Sequence, residues 1–369
     1  ADDSPFGISL DIDALDPQFA PGVTTPSDNG LGVAELATAI GGLIRNRRCL
    51  AFEIVEYCPS RDALGLTARA AIELLEAACR PGGEALQCIE AARGASNYAP
   101  LPVVLSEGRG CWLSDVNGQR YLDLMSAYSA VSFGHAHPRL VATLASQATR
   151  LAVTSRAYFN DRLPLFLKRL TDLTGYERAL PVNTGLEAVE TALKAARKWG
   201  HKVKGIAEDC AEIIACNGNF HGRSIAITGL SSEPQYRDGF GPFPPALKRI
   251  PYGDAAALEA AITPNTAAFL VEPIQGEGGI IIPPEGYLAA CAEICKRHNV
   301  LLIADEVQTG LGRTGHLLAT QHDRIRPDGV ILGKALGGGL LPVSAFLADE
   351  RVMQVFKHGD HGSTFGGNA

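Results

Sequence analysis

The chain has 369 residues, enough for roughly two to three domains that each bury a core. Hydrophobic residues make up 46% of it and charged residues 20%, which excludes a disordered or fibrous protein. The net charge of −7 argues against a nucleic-acid partner or an anionic membrane surface. No apolar run approaches the roughly eighteen residues that a membrane span requires.

The N-terminal stretch ADDSPFGISL lacks both the basic and the apolar region of a secretory signal and does not begin with Met. We therefore expect an internal piece of a longer protein. The nine cysteines are scattered, with no Cys-x-x-Cys pair. This usage predicts free thiols in a reducing compartment and hence a cytoplasmic location.

The first 80 residues alternate between strand and helix patterns. GISLDID and CLAFEIVEY have the pattern of strands, whereas ELATAIGGLIRN and TARAAIELLEAAC have that of helices. The alternation predicts a βαβα unit with parallel strands over residues 1–80. Pro81, Gly82 and Gly83 end the last helix, and small or polar residues follow, so we place a linker at residues 81–97.

The remainder of the chain has the pattern of a larger α/β domain. GCWLSDVNGQRYLDL alternates around Asn117-Gly118, which predicts a hairpin within a segment of residues 98–128. Over residues 129–369, helices alternate with the apolar strands EIIACNG, AAFLVEPI, VLLIADEV, GVILGKA and PVSAFLAD. This pattern predicts an open, mostly parallel α/β sheet covered by helices on both faces.

A single lysine, Lys334, lies inside the apolar, glycine-rich run VILGKALGGG. Burying its amine is costly unless the charge is paired or neutralised. In one interpretation Lys334 ends a strand and extends its amine into solvent, which is the commoner case for a lone lysine. In the other, a lowered pKa allows the amine to bond covalently to an aldehyde.

Other candidate residues lie at the ends of predicted strands and helices. Asp305 ends VLLIAD, where open α/β sheets bind ligands, although an aspartate there also caps turns. Glu272 and Glu277 lie in FLVEPIQGEGG, beside glycines that let a backbone approach a ligand. Asn183-Thr184-Gly185 opens a strong helix, whose free amides bind phosphate or form an ordinary N-cap.

A phosphate site, a carboxylate and a lysine at one edge of a sheet suit pyridoxal phosphate. Lys334 would bind the aldehyde of this cofactor and act as the base in proton transfer. Asp305 would keep the pyridine nitrogen protonated, so that the ring accepts electrons. Phe220, in NGNFHGRS, could stack on that ring.

Four motifs follow one another in order: VEPIQGEGG, IADEVQTGLGRTG, LGKALGGGLLPVSAFL and GSTFGGN. On these, from about Tyr98 to the last residue, the chain resembles the class III pyridoxal-phosphate aminotransferases, and within them the ornithine-specific group. The resemblance implies a large domain of fold type I, with Lys334 carrying the cofactor and Asp305 pairing with its pyridine nitrogen. The further cofactor contacts that it implies are Gln308 on the ring hydroxyl, Gly185 and Leu186 on the phosphate, and Thr364 on the phosphate of the neighbouring subunit in a homodimer.

The resemblance also implies a substrate. Tyr98 and Tyr128 match tyrosines that line the ornithine pocket, and Arg223 matches the arginine that clamps the α-carboxylate, for which a guanidinium fork is suited. Glu277 matches a glutamate that masks a second arginine until glutamate or 2-oxoglutarate binds. The implied reaction moves the δ-amino group of L-ornithine to 2-oxoglutarate and yields glutamate 5-semialdehyde. His221 stands where many ornithine enzymes have tryptophan, so acetylornithine or another ω-amine is the alternative substrate.

The resemblance has a limit at the C-terminal end of the chain. The family continues beyond Asn368-Ala369 into a small domain, which holds the arginine partner of Glu277. A catalytically incomplete fragment is therefore a further alternative, and it predicts no turnover that depends on a keto acid.

Asp11 and Asp13, in SLDIDALDPQF, stand two residues apart on a predicted strand, so their carboxylates should face one side. Such a pair suits manganese or magnesium, although a solvated strand edge is commoner. With Glu56 in EIVEYCPSRD, residues 1–80 resemble the C-terminal third of the arginase/agmatinase ureohydrolases. The other metal ligands of that family lie upstream, so we expect no useful Mn²⁺ site and no urea release. A fusion of two successive steps of arginine breakdown is our hypothesis for the pairing.

Overall fold

The structure, a computed structural model, describes residues 5–44, 49–79 and 82–369. The predicted helix stop at Pro81 and the last two residues of the predicted helix at 35–46 lie outside these ranges. The described chain forms two compact units. One contains the residues up to Gly108 together with Trp112–Leu122, and the other contains Arg109–Cys111 and Asp123–Ala369.

The N-terminal part of the first unit has the predicted βαβα order. Its elements are β1 (Phe6–Asp11), α1 (Val33–Ile44), β2 (Cys49–Val55) and α2 (Leu66–Cys79). Strands β1 and β2 pair in parallel, as the alternation of strands and helices predicts. The core between sheet and helices is small and contains Ile12, Leu15 and Leu74, which are fully buried.

Asp11 and Asp13 do not share a strand face. Asp11 is the last residue of β1, whereas Asp13 lies in a 3₁₀ turn at Ile12–Ala14. The carboxylate of Asp11 accepts a hydrogen bond from the backbone N–H of Asp13 at 3.2 Å, and this local bond takes the chain out of the extended conformation. The prediction that both residues lie on one strand is therefore wrong for Asp13.

The rest of the first unit contains one helix and most of a small sheet. Residues predicted as a linker include α3 (Gly83–Arg93), which has no buried side chain. Strands β3 (Leu105–Arg109), β4 (Trp112–Asp115) and β5 (Arg120–Leu122) form a three-stranded sheet in that order. Strands β4 and β5 are antiparallel and enclose Asn117-Gly118, which confirms the predicted hairpin.

The second unit is built around a seven-stranded sheet. Its strands are β6 (Arg178–Val182), β7 (Glu212–Cys216), β8 (Leu247–Ile250), β9 (Thr266–Val271), β10 (Leu301–Asp305), β11 (Gly329–Leu332) and β12 (Ser344–Ala348). Its helical elements are a short turn α4 (Ser126–Ser129), α5 (Pro138–Ala148), α6 (Leu163–Thr174), α7 (Gly185–Trp199), α8 (Ile225–Leu230), α9 (Pro234–Arg237), α10 (Ala255–Ala261), α11 (Tyr287–Arg297) and α12 (Glu350–Met353).

The spatial order of the strands is β6-β12-β11-β10-β9-β7-β8. Only β12 runs antiparallel to its neighbours, so the mostly parallel sheet is confirmed. Successive strand residues alternate between two cores: Ile303 packs in the core that contains α7, whereas Leu302 packs in the core that contains α11. Helices therefore cover both faces, which explains why β9 and β10 are buried throughout and almost entirely apolar.

None of the helices within residues 5–44, 49–79 and 82–369 combines the length and the apolar character that crossing a bilayer demands.

Candidate active site

Three segments of the second unit converge at the carboxyl end of the sheet. Strand β10 ends at Asp305, Lys334 follows β11, and α7 begins at Gly185 after β6. Because β10 and β11 are adjacent and parallel, their carboxyl ends meet at one edge, where such sheets bind ligands. A cavity of about 220 Å³ lies here. The residues singled out in the sequence that line it are Gly185, Leu186, Phe220, His221, Glu272, Glu277, Asp305, Gln308 and Lys334.

Lys334 has an unusual backbone conformation. It follows the extended Gly333, and its own φ of 43° lies in the left-handed region. For a residue with a side chain this conformation costs about 1–3 kcal/mol and persists only where the surrounding structure holds it. The conformation re-aims the chain at the end of β11, and Lys334 lines the cavity.

The amine of Lys334 is half-buried and has no hydrogen-bond or ion-pair partner among the residues that the structure describes. Burial lowers the pKa of this amine, although the carboxylates of Glu277, Asp305 and Glu272 oppose the shift. An amine reacts with an aldehyde only in its neutral form, which a lowered pKa makes available at lower pH. The geometry therefore suits a reactive lysine better than one that extends into solvent.

Asp305 and His221 form a buried pair beside Lys334. Oδ2 of Asp305 lies 2.7 Å from Nδ1 of His221, and Oδ1 accepts the backbone N–H of Val307 at 3.1 Å. Burial alone would lower the pKa of His221. The hydrogen bond to Asp305 and the negative charges of Asp305 and Glu272 outweigh this effect, so the pKa of His221 is raised. The other ring nitrogen, Nε2, is buried without a hydrogen-bond partner. The imidazole of His221 thus holds the carboxylate of Asp305 in one orientation.

Glu272 is a second buried carboxylate at this edge of the sheet. Burial raises its pKa to about 7; Asp305 adds to the shift and His221 opposes it. One carboxylate oxygen accepts the backbone N–H of Phe220 at 3.0 Å, and its carbonyl accepts the hydroxyl of Tyr252, also at 3.0 Å. Glu272 therefore ties the segment that carries Phe220 and His221 to the end of β9.

Helix α7 presents its N-terminus to the same cavity. Thr184 and Glu187 form a reciprocal capping box, in which each side chain accepts a backbone N–H of the other. Gly185 and Leu186 lie in the first turn, where helix geometry provides no intrahelical acceptor for the amides. These amides and the positive end of the helix dipole suit a phosphate group.

Two glycines allow the turn of α7 and the end of β11 to lie close together. A Cβ atom on Gly185 would come within 3.0 Å of Cγ1 of Val307, and one on Gly333 would come within 3.2 Å of the same atom. Val307 therefore fills the space between the two segments. The position of Lys334 relative to the amides of α7 depends on both glycines.

We expect Gly185→Val to lower the free energy of unfolding by about 1–3 kcal/mol, because added methyl groups overpack against Val307. Combining it with Val307→Ala should recover part of the loss, and denaturant unfolding of the full chain measures both effects. The matched control is Gly362→Val, at a glycine with open space around it. Equal losses in Gly185→Val and the control would contradict this account.

Gln308 packs against another glycine. A Cβ atom on Gly276 would overlap Oε1 of Gln308 at 1.5 Å, so Gly276 permits the observed position of this amide. Nε2 of Gln308 donates a long hydrogen bond of 3.4 Å to the carbonyl of Tyr128.

Tyr128 itself lies in α4, where Ser126–Ser129 all have left-handed φ values between 44° and 79°. Its side chain is half exposed and does not line the cavity.

Arg223 lies beside the cavity rather than among its lining residues. Its guanidinium carbon is 5.7 Å from the ring centroid of Phe220 and 4.3 Å from that of Tyr236. Thr364 is exposed and also does not line the cavity. Tyr98 belongs to the first unit and is 77% exposed. The roles expected of these three residues stay predictions.

Asp13 lies close to two other carboxylates of the first unit, those of Asp11 and Glu56. Partial burial raises the pKa of the Asp13 carboxyl group, and the neighbouring negative charges of Asp11 and Glu56 raise it further. Glu56 accepts a hydrogen bond from the hydroxyl of Thr24 at 3.1 Å. Over residues 5–44, 49–79 and 82–369, no group of three or more His, Cys, Asp or Glu side chains could hold a metal ion.

Sequence reasoning missed four contacts of the site: those of His221 with Asp305, Glu272 with Phe220, Gly276 with Gln308, and Tyr236 with Arg223. The partners in the first pair are 84 residues apart, and those in the second are 52 apart. No periodicity or spacing along the chain indicates such pairs. Only the tertiary contacts of the folded second unit identify them.

The cavity has the parts that pyridoxal phosphate needs. Four groups border one space: an amine with a lowered pKa and no partner in the described ranges, a buried carboxylate held by histidine, first-turn helix amides and an aromatic ring. The glycines at 185 and 333 leave no room for side chains where Val307 packs. The fold and the site together define an enzyme of the pyridoxal-phosphate-dependent class.

The chain belongs to the class-III aminotransferase family, whose model matches residues 93–369. Enzymes of this family are aminotransferases that use pyridoxal phosphate. The model of the arginase family matches residues 1–79, which agrees with the resemblance seen in the first unit.

Curated relatives and solved structures support this assignment. The chain is 59% identical over 275 residues to an ornithine aminotransferase of Bacillus subtilis, a match that covers 74% of this chain and 69% of that protein. An ornithine aminotransferase of Brevibacillus brevis is 57% identical with the same coverage. The ornithine aminotransferase of Toxoplasma gondii superposes with a TM-score of 0.77 at 48% identity, and the match covers 78% of this chain and 68% of that one. The active site of that structure holds pyridoxal phosphate at partial occupancy. An acetylornithine aminotransferase of Elizabethkingia anophelis superposes with a TM-score of 0.69 at 50% identity. The match covers 78% of this chain and 70% of that one.

Proposed function

We propose that this chain moves the δ-amino group of L-ornithine to 2-oxoglutarate and yields glutamate 5-semialdehyde. The observation that carries the proposal is the convergence of Lys334, the Asp305–His221 pair and the first turn of α7 on one cavity. Identity of 56–59% to several ornithine aminotransferases supports the choice of substrate.

Bound pyridoxal phosphate supplies an electron sink that stabilises negative charge on the carbon next to the reacting nitrogen. The protein supplies the means to hold it and to move protons. Lys334 would hold the cofactor through its aldehyde with release of water, and its amine, once displaced by the substrate amine, would carry a proton to and from the substrate carbon. The amides of Gly185 and Leu186 hold the phosphate, and Phe220 covers the ring.

The Asp305–His221 pair holds a proton at the pyridine nitrogen. A carboxylate beside that nitrogen favours its protonated form. Because His221 and the N–H of Val307 each bond one oxygen, Asp305 cannot rotate away from the cavity without breaking a hydrogen bond. Gln308, whose amide occupies the space that Gly276 leaves open, would bond the ring hydroxyl.

Arg223 binds the α-carboxylate of ornithine, so that the δ-amine faces the cofactor, and Tyr128 contributes to the substrate pocket. A guanidinium presents parallel N–H donors that match a carboxylate. Glu277, which is exposed at the rim of the cavity, takes part when glutamate or 2-oxoglutarate binds.

We infer that two copies of the chain form a homodimer with shared active sites, in which Thr364 contacts the phosphate bound by its neighbour. Thr364 is exposed on its own chain. The second unit also exposes the large apolar side chains Phe133, Tyr158 and Phe159, at 56%, 72% and 93%. Exposed apolar patches of this kind commonly mark interfaces.

We infer a cytoplasmic location, which the nine unpaired cysteines support. The domain division at residues 1–80, 81–97, 98–128 and 129–369 stays our proposal, as does a fusion in which residues 1–80 derive from a ureohydrolase. Mn²⁺ would belong only to a complete ureohydrolase. In this chain we propose that residues 1–80 take no part in transamination.

The alternative substrate is N-acetyl-L-ornithine, which His221 and the similar acetylornithine aminotransferase favour. We expect the specificity constant kcat/KM for L-ornithine to exceed that for N-acetyl-L-ornithine by at least about tenfold. The measurement uses the full chain with pyridoxal phosphate and 2-oxoglutarate, with semialdehyde release followed by an aldehyde reagent. Reactions without 2-oxoglutarate are the control.

The reverse preference would replace the proposed substrate by the acetylated one. Absence of turnover with either donor would favour the incomplete fragment. In that case, activity should return when the chain is extended with the C-terminal domain of a homologous aminotransferase.

A further inference from the structure

Within the described part of the chain, only aromatic rings support the guanidinium of Arg223. Its central carbon lies 4.3 Å from the ring centroid of Tyr236 and 5.7 Å from that of Phe220, both within the roughly 6 Å range of cation–π attraction. Among the described residues, no carboxylate or carbonyl bonds this guanidinium. Arg223 is therefore a cation held in place without an anionic partner.

This type of support leaves the binding groups of Arg223 free. A guanidinium has five N–H donors around its edge, whereas a ring face contacts only its plane. A carboxylate in place of Tyr236 would occupy the donors that an incoming substrate carboxylate needs. An aromatic face orients the cation and does not compete with that carboxylate.

Tyr236 is itself held firmly. The next residue, Arg237, donates hydrogen bonds of 2.8–3.2 Å to three carbonyls at the end of α8, those of Thr228, Gly229 and Ser231. These bonds lock α9 against α8. The ring of Tyr236 also meets that of Phe220 edge-to-face, with centroids 6.0 Å apart at 76°. Tyr236 thus links the arginine to the ring proposed to cover the cofactor.

We propose that Tyr236 is a positioning residue that sets the orientation of Arg223 toward the carboxylate of the amino donor. Tyr236 thereby selects donors that carry a carboxylate at the end remote from the transferred amine. The inference rests on the proposed function, because it takes Arg223 as the carboxylate clamp.

The test compares L-ornithine with 1,4-diaminobutane, which is the same donor without its carboxylate. In Tyr236→Leu we expect kcat/KM for L-ornithine to fall about tenfold, mainly through KM, because the cation–π support is lost. The kcat/KM of Tyr236→Leu for 1,4-diaminobutane should stay within about twofold of the wild-type value, because this donor has no carboxylate for Arg223 to bind. Tyr236→Phe keeps the ring face and should restore the preference for L-ornithine.

The matched control is Phe240→Leu. Phe240 is 62% exposed and borders the same small cavity as Arg223 and Tyr236, but its ring makes no cation–π contact with Arg223. Equal falls for both donors in Tyr236→Leu would overturn the proposal, because they indicate general damage. An equal effect of Phe240→Leu, or no change of preference in Tyr236→Leu, would overturn it too.

A second measurement does not depend on turnover. Phenylglyoxal modifies arginine, and peptide mass mapping reports the extent at Arg223. We expect L-ornithine to protect Arg223 in the wild type and in Tyr236→Phe, and protection in Tyr236→Leu to need about ten times more ligand. If no variant catalyses transamination but protection of Arg223 still differs between Tyr236→Leu and the wild type as expected, the proposed reaction is wrong and the role of Tyr236 stands. Equal protection in all variants would overturn that role.

Discussion

Lys334→Ala is expected to lose at least about a thousandfold of the ornithine-dependent transamination rate, because it removes both the point of covalent attachment and the proton carrier. The half-buried amine with no partner in the described chain is the basis of this expectation. Borohydride reduction of the chain mixed with pyridoxal phosphate, followed by peptide mass mapping, checks it directly. In the wild type the label should concentrate on Lys334.

The matched control is Lys202→Ala, at an exposed lysine in the turn after α7. It should retain both labelling of Lys334 and turnover. Because burial lowers the pKa of Lys334, labelling should reach half its maximum below the ordinary lysine pKa of 10.5. Label spread over many surface lysines, or a midpoint at or above that pH, would show that the cavity does not form as described.

Asp305→Asn is expected to reduce kcat by about 100- to 1000-fold with a smaller effect on KM. The change preserves the size of the side chain but removes the charge that keeps the pyridine nitrogen protonated. It also leaves the buried imidazole of His221 without its anionic partner. Steady-state kinetics with saturating cofactor measure the effect on turnover.

The same variant has a pH signature. The folded pKa of His221 is raised, so its pairing with Asp305 stabilises the protein fully below the unfolded pKa of about 6.5. That contribution is lost as pH rises through the folded pKa. Asp305→Asn should therefore destabilise the chain more below about pH 6.5 than at pH values above the folded pKa of His221.

The exposed Asp172, paired with Lys168 on the surface of α6, provides the matched substitution Asp172→Asn. It should leave kcat unchanged and alter stability by less than about 1 kcal/mol. If Asp305→Asn behaved like this control in kinetics, Asp305 would not be the partner of the pyridine nitrogen.

Much of the fold could be read from the sequence, because each prediction depends on a local pattern. The apolar runs that became β9, β10 and β11 are buried on both faces of the sheet, so they contain almost no polar residue. The hairpin at Asn117-Gly118 follows from turn chemistry. Predictions at the level of single residues were less secure: Asp13 left its strand because the side chain of Asp11 bonds its backbone N–H.

The sequence by itself determined which chemical groups are present and which of them end a strand or open a helix. Lys334, Asp305 and the Thr184-Gly185 cap were recognisable because strand ends and helix starts have local signatures. Only the tertiary structure decided what lies beside them. His221 meets Asp305 across 84 residues, and Arg223 rests on an aromatic ring presented by α9. Such contacts arise from the packing of separate elements around the sheet, for which a linear pattern contains no period or spacing.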